Sequence, residues 1–279
     1  DQWHEVIVLS AGKAPVHLRQ RLLLGILRWG DKQKAHRHKY YLLAVSCLQS
    51  IMDITQKEED EIKNRLKKII PPQNLREAKQ LSSAGEMALP YLKYTKHYSV
   101  TEISNCIISL RSIGGDDAEM SLSEYAQDRR EAVFSDLLKT REFFDHDSYN
   151  TNVLCKSKTE SLTLTKSIPI DIIKNLVEIK HLRIETYDIR DLNILKPLSK
   201  LISLEIINCS SLVDLSQLKN YPNLESLKID LCESIESIEP VQQLVNLTEL
   251  ELQGCYKLSD LEIFGNHKKL KKLNLNVAL

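Results

Sequence analysis

Apolar positions in this chain follow two rhythms, and the change between them falls near residue 160. Before that point they recur at helical spacing. Trp3, Val6, Ile7 and Leu9 begin one apolar face, and Leu18, Leu22, Leu23, Ile26, Leu27 and Trp29 form a second, with Pro15 near its start and Gly30 at its end. A third helix is predicted through Tyr41, Leu42, Val45, Leu48 and Met52. The charged stretch from Glu58 through Lys68 continues helically with Ile62, Leu66, Ile69 and Ile70 inward. Pro71-Pro72 stops it, because proline supplies no N–H and clashes with the preceding turn.

Residues 73 to 157 keep the helical period with shorter elements. Leu75 to Tyr94 reads as a helix-turn-helix, with Pro90 at the start of its second helix or kinking it. Ser99-x-x-Glu102 is a capping box leading into Ile103, Ile107 and Leu110, and Gly114-Gly115 ends that helix. A helix from Leu122 to Leu138 follows, and Phe143-Phe144-Asp145 closes the block, with Asp145 as a cap. Short helices paired at this spacing resemble HEAT-like repeats.

From Ser161 onward the period lengthens to about 23 residues. Leu201-x-x-Leu204-x-Ile206-x-x-Cys209-x-x-Leu212, Leu224-x-x-Leu227-x-Ile229-x-x-Cys232-x-x-Ile235 and Leu247-x-x-Leu250-x-Leu252-x-x-Cys255-x-x-Leu258 align without gaps. The anchors Leu162, Leu182, Leu204, Leu227, Leu250 and Leu273 stand 20, 22, 23, 23 and 23 residues apart. Each is followed two positions later by Leu164, Ile184, Ile206, Ile229, Leu252 or Leu275, the alternation a buried strand face requires. This is the leucine-rich-repeat signature, with Cys where other versions carry Asn. The predicted fold is therefore an α-helical, HEAT-like N-terminal part followed by an α/β leucine-rich-repeat solenoid with a parallel curved sheet. The expected domains are residues 1–72, 73–157 and 158–279.

Each coil of such an array buries its leucines only against its neighbours, so both ends need cover. The helical block before Ser161 is the expected N-terminal cap, and the chain stops at Leu279 just inside the sixth strand. Residues between the anchors should face outward on the concave side: His181, Arg183, Glu185, Ser203, Glu205, Ile207, Ser226, Lys228, Asp230, Glu249, Glu251, Gln253, Lys272, Asn274 and Asn276. Mixed charge with one apolar exception fits either a protein- or peptide-binding surface or an ordinary solvated strand face. It lacks the aromatic platforms that single-stranded nucleic acid uses. Cys209, Cys232 and Cys255 fill the turn after their strands as small side chains with a weak S–H donor. Neither His nor a fourth Cys stands at a ligand spacing to make them a metal site.

The bulk numbers remove several classes. A composition of 42% hydrophobic and 27% charged residues is that of a globular protein. Zero net charge gives no global field to recruit nucleic acid or a membrane, and no apolar run spans a bilayer. The six cysteines form no CxxC pair and sit in apolar patterns, which points to a reducing, cytoplasmic compartment. Without an initiator Met or a signal-peptide pattern, and opening within a helix, the chain reads as a piece of a longer protein.

Local candidates for chemistry fail one by one. Gly12-Lys13 lacks the phosphate-loop pattern, since position 7 is Ile and residue 14 is Ala. His36 and His38 point about 200° apart on a helix. Asp145, His146 and Asp147 have no nucleophile beside them. Cys47 and Cys106 lie in apolar helical patterns rather than in the charged setting a reactive thiol needs. Lys13 to Lys39 carries eight Lys/Arg against one Asp. That run reads as the solvated side of helices packed by their leucines, with nucleic acid or an acidic partner as the alternative. No catalytic residue, cofactor or metal is assigned.

Several segments resemble bacterial NACHT-type signal-transducing NTPases, relatives of NOD-like receptors, in the region beyond their ATPase module. They are Trp3-x-Glu5-Val6-Ile7-x-Leu9-x-Ala11-Gly12, Tyr41-Leu42-Leu43-Ala44-Val45-x-Cys47-Leu48, Leu110-x-x-Ile113-Gly114, Tyr125-x-x-Asp128 and Phe144-Asp145-x-x-x-Tyr149-x-x-x-Val153-Leu154. The order of these segments carries the resemblance and covers most of the chain. It implies a cytosolic sensor and autoinhibitory region in anti-phage defence. Its repeats would bind a protein ligand on the concave face and contact an upstream NTPase module that these residues do not contain. The P-loop, Walker B and effector portions are absent from this sequence, so ATP binding falls on none of its residues. The alternatives are a stand-alone repeat scaffold or adaptor and, less compatible with its cysteines, a ligase with a repeat-based substrate reader.

Overall fold

A computed structural model describes residues 2–51, 55–166, 168, 170–186, 188–258 and 267–276. Met52 of the third predicted helix and the terminal Leu279 lie outside the described residues. By internal contacts the chain forms two compact units, one of residues 1–125 and 139–153, the other of residues 126–138 and 154–279.

The first unit is helical. In order come α1 (Gln2–Lys13), α2 (Val16–Lys32), α3 (Arg37–Gln49), α4 (Gln56–Leu66), α5 (Leu75–Leu81), α6 (Val100–Ile113) and α7 (Asp116–Tyr125). Past the start of α8 (Glu131–Thr140) in the second unit, α9 (His146–Asn152) returns to the first. Capping sets several boundaries. Thr55 and Ser99 each accept from the backbone N–H three residues on, while Glu58 and Glu102 reach back to the cap. The Gly114-Gly115 stop holds, with φ of 72° and 80° that a side chain would resist. Asp145 caps α9 by accepting from the Ser148 N–H at 2.9 Å.

Four helical expectations need correction. α2 passes through Gly30 to Lys32, and that glycine serves packing, since a Cβ there would lie 2.8 Å from the Tyr41 ring. The second half of the predicted helix-turn-helix is a run of 3₁₀ turns over Ser82–Tyr91, broken at Gly85 and holding Pro90 inside it. The hydroxyls of Ser82 and Ser83 donate back to the Lys79 and Gln80 carbonyls there, competing with a regular α-helix. The single helix expected from Leu122 to Leu138 is two, α7 and α8. Between them the Asp128 carboxylate accepts from the Arg130 N–H at 2.9 Å and from its guanidinium, a local turn that interrupts the helical ladder. Finally, Trp3, Val6 and Leu9 do not enter the core but stand 72%, 49% and 63% exposed on α1.

The interior of this unit is held by aromatic groups whose polar ends are satisfied. Tyr125 is fully buried and donates to the Leu92 carbonyl at 2.9 Å, and buried Tyr149 stacks on Phe144 with centroids 5.2 Å apart. Buried Glu119 accepts from Ser148 and Asn152 at 2.7 and 2.8 Å. Asn105 and Ser109 of α6 donate to the Pro72 and Ala78 carbonyls, each at 3.0 Å.

In the second unit six parallel strands lie in sequence order: β1 (Ser161–Leu164), β2 (His181–Glu185), β3 (Ser203–Ile207), β4 (Ser226–Asp230), β5 (Glu249–Gln253) and β6 (Lys272–Asn276). Every anchor leucine pairs with the next, from Leu162 with Leu182 to Leu250 with Leu273. The sequence period is thus the coil of a leucine-rich-repeat solenoid. Short 3₁₀ turns, such as Ser216–Asn220 and Glu239–Gln243, return the chain on the opposite side. α8 joins this unit at its first coil, where the Glu131 carboxylate accepts from the Thr163 hydroxyl at 2.8 Å and Lys158 N–H donates to the Ala126 carbonyl.

Candidate functional site: the concave face of the repeat sheet

Alternation decides which residues this face presents. The strand anchors of β1 to β5 are buried, and the residues between them remain half-buried or exposed. All twelve charged, polar or apolar candidates, His181, Arg183, Glu185, Glu205, Ile207, Lys228, Asp230, Glu249, Glu251, Gln253, Lys272 and Asn274, stand on β2 to β6 at positions that alternate with the anchors. Parallel register stacks them into columns. The middle column runs Thr163, Arg183, Glu205, Lys228, Glu251 and Asn274.

That column alternates in charge and is partly paired across strands. Arg183 donates to Glu205 at 2.9 Å and to Glu185 on its own strand, and Lys228 lies 3.4 Å from Glu251. The pairs are open to water, so each contributes at most about 1 kcal/mol. Their consequence is orientation of the side chains rather than stability. Five carboxylates, Glu185, Glu205, Asp230, Glu249 and Glu251, face three cations, Arg183, Lys228 and Lys272, so the face is acidic. Two polar hollows open on it. One, of about 180 Å³, is lined by Glu131, Ser161, Thr163, His181, Arg183, Ser203 and Glu205. The other, of about 190 Å³, is lined by Glu205, Ser226, Lys228, Glu249, Glu251 and Lys272. Glu205 borders both.

Two contributors were not legible beforehand. Thr163 sits where the repeat register, extended to Leu162-x-Leu164, would have placed it. Glu131 comes from α8, thirty residues upstream of β1, and no periodicity links the two. A second column also went unread: the residue two past the second anchor takes positive φ in four successive coils, as Thr186 (52°), Asn208 (54°), Leu231 (52°) and Gly254 (62°). Each N–H donates to the next strand, for example Asn208 to the Asp230 carbonyl at 2.8 Å and Gly254 to the Asn276 carbonyl at 3.0 Å. Gly and Asn were the available signals, and Leu and Thr concealed them.

The cysteines beside this column are structural. Cys209, Cys232 and Cys255 are fully buried, and their thiols point to the carbonyls of Ile207, Asp230 and Gln253 at 3.6, 3.4 and 3.5 Å. The contact with Cys209, together with burial, drives the Cys232 thiol far above its ordinary pKa. In the helical unit, burial pushes Cys47 to about 11 and Cys106 to about 12. Thiols so held are protonated at neutral pH and poor nucleophiles. Among the described residues no group of three His, Cys, Asp or Glu converges on a point where a metal would sit. No helix among them is long and apolar enough to cross a membrane.

The other local candidates also have structural partners. Gly12 lies inside α1, where a Cβ would come within 3.0 Å of the Ser50 carbonyl. His38 lies 3.3 Å from Glu77, and His146 3.9 Å from Glu142.

No protein-family model matches the chain, and no curated protein matches it. Solved structures that it resembles include an internalin (inlF) from Listeria monocytogenes, at 20% identity and a TM-score of 0.34, over 46% of this chain and 43% of that one. Another is internalin C2 (inlC2) from the same organism, at 15% identity and a TM-score of 0.27, over 44% of this chain and 75% of that one. The chain thus spans less than half the length of the first of these. The repeat architecture itself is read from the strand register above.

Proposed function

We propose that this chain is the recognition region of a larger cytosolic signalling protein, and that the concave face of β1 to β6 binds a protein partner. The observation that carries the reading is the face itself: an acidic array of oriented side chains with two polar hollows, mounted on a sheet whose other side is occupied by core. Solenoids of this kind commonly bind through that surface. A NACHT-type switch is the context we infer from the ordered resemblance of the N-terminal segments. The exposed Trp3, Val6 and Leu9 on α1 support an apolar contact with an NTPase module in that context. A partner acts as the cue only if it binds one state of the switch more tightly than the other. Anti-phage defence is the role the resemblance implies.

The binding claim is tested by reversing Glu205, Lys228 and Glu249 together, with binding to the partner and thermal melting measured side by side. Weakened binding at an unchanged melting temperature supports the claim, and unchanged binding removes the concave face. The switch context is tested separately by translating the coding region upstream of Asp1. A P-loop and a Walker B strand within roughly 300 residues support it. A start codon next to Asp1 leaves a stand-alone repeat scaffold.

A further inference from the structure

The basic run of the N-terminal helices is not spread around them. His17, Arg21, Gly25, Arg28 and Lys32 are all exposed on α2. At 100° per residue they fall within about 40° either side of one line, about 22 Å long. Asp31, the one carboxylate between Lys13 and Lys39, is drawn off the stripe: Arg65 donates to it at 2.8 Å and Tyr41 at 2.5 Å. The hydrogen bond from Arg65 holds its carboxyl below the usual carboxylate range. The cations of the stripe therefore meet no opposing charge on their own helix.

Two further observations point to something lying along this line. Gly25 sits in the middle of a 17-residue helix, exposed, with open space where a Cβ would project. Nothing within the fold calls for glycine there, and glycine weakens a helix relative to alanine. A partner backbone that approaches the helix closely does call for it. Beside the stripe, Trp29 is 53% exposed, and its indole N–H donates to the Tyr40 hydroxyl at 3.0 Å, which fixes the ring at the surface.

We propose that the exposed face of α2 binds single-stranded nucleic acid, with the phosphates along Arg21, Arg28 and Lys32, the backbone over Gly25 and a base stacked on Trp29. Cations that track a backbone beside an aromatic platform are the recurring arrangement for such strands. Bilayer insertion fits less well, because Leu23 and Leu27, the apolar side of α2, are buried in the unit's own core. This surface is separate from the concave sheet, so the inference stands or falls independently of the function proposed above.

The test is fluorescence anisotropy of a labelled 20-nucleotide oligo-uridine or oligo-thymidine with the 279-residue chain. Dissociation constants of about 10⁻⁶ to 10⁻⁴ M near physiological salt are expected. With Arg21, Arg28, Lys32 and the adjoining Lys34 engaged, the log–log salt slope should be about −3. Arg21→Glu with Arg28→Glu should abolish binding, and the milder Arg21→Gln with Arg28→Gln should weaken it and flatten the slope at an unchanged melting temperature. Trp29→Ala should lose about tenfold, with Trp29→Phe recovering most of it. Gly25→Ala separates binding from folding: the melting temperature should rise by about 2–4 °C while affinity falls. Equal affinity of the wild type and the arginine variants overturns the proposal. So does binding to phosphatidylglycerol vesicles with none to either oligonucleotide.

Discussion

The helical unit and the repeat unit are stabilised in opposite ways. In the helical unit each contact is made once: one capping box holds α4, another α6, and a single tyrosine hydroxyl ties α7 to the Leu92 carbonyl. In the repeat unit the same few contacts recur every 23 residues or so, with anchor on anchor and the same left-handed residue passing its N–H to the next strand. Repetition makes a fold readable, and it also lets damage in one coil reach its neighbours, because no coil buries its leucines alone. Unique contacts are harder to foresee, and their loss stays local.

The sharpest way to break this comparison is Leu204→Ala. Leu204 is fully buried between two neighbouring anchors, and its truncation should cost about 2–5 kcal/mol. Amide exchange should rise on β2, β3 and β4 together while α6 keeps its protection. An increase confined to β3 would show that the coils are energetically independent. Gly254→Ala should cost about 1–3 kcal/mol, since φ is +62° and the new Cβ would lie 2.8 Å from the Leu231 side chain. In the same column Leu231→Gly should be neutral or stabilising by up to about 1 kcal/mol, because leucine at φ 52° is strained. Urea unfolding of the two variants checks the sign of each.

Ser99→Ala in the helical unit should cost about 1 kcal/mol, the loss of one cap, with exchange changing only at the start of α6. The gentlest perturbation is alkaline pH. Burial raises Cys47 to about 11 and Cys106 to about 12, so above pH 9 the folded state holds protons that the unfolded chain releases. Stability contributed by these thiols is present below pH 9 and is lost as pH rises toward 12. Melting curves of the wild type and Cys106→Ala should converge over that range. Parallel curves would show that the thiol does not titrate there.

The same contrast explains what could be read in advance. Anchor spacing fixed the strands, their register and the outward face, because a period of two allows one assignment of inside and outside. In the helical half the capping box at Ser99 and the stop at Gly114 were legible, since their chemistry is local. The break between α7 and α8 was not. It depends on an Asp128 turn and on a hydrogen bond from Lys158 to Ala126, thirty residues apart. Glu131 escaped for the same reason. The exposure of Trp3, Val6, Leu9 and Trp29 ran against their apolar character, because periodicity identifies an apolar face without naming what covers it.

The most direct test of the concave face as the recognition surface is carbodiimide labelling of carboxylates, read by mass spectrometry, with and without the bound partner. Glu205, Glu249 and Glu251 lie on that face, whereas Glu233, Glu236 and Glu239 lie on the loops and turns beyond β4. The account predicts that the first three become shielded while the last three react as before. Shielding of the loop carboxylates with the strand carboxylates unchanged would contradict it.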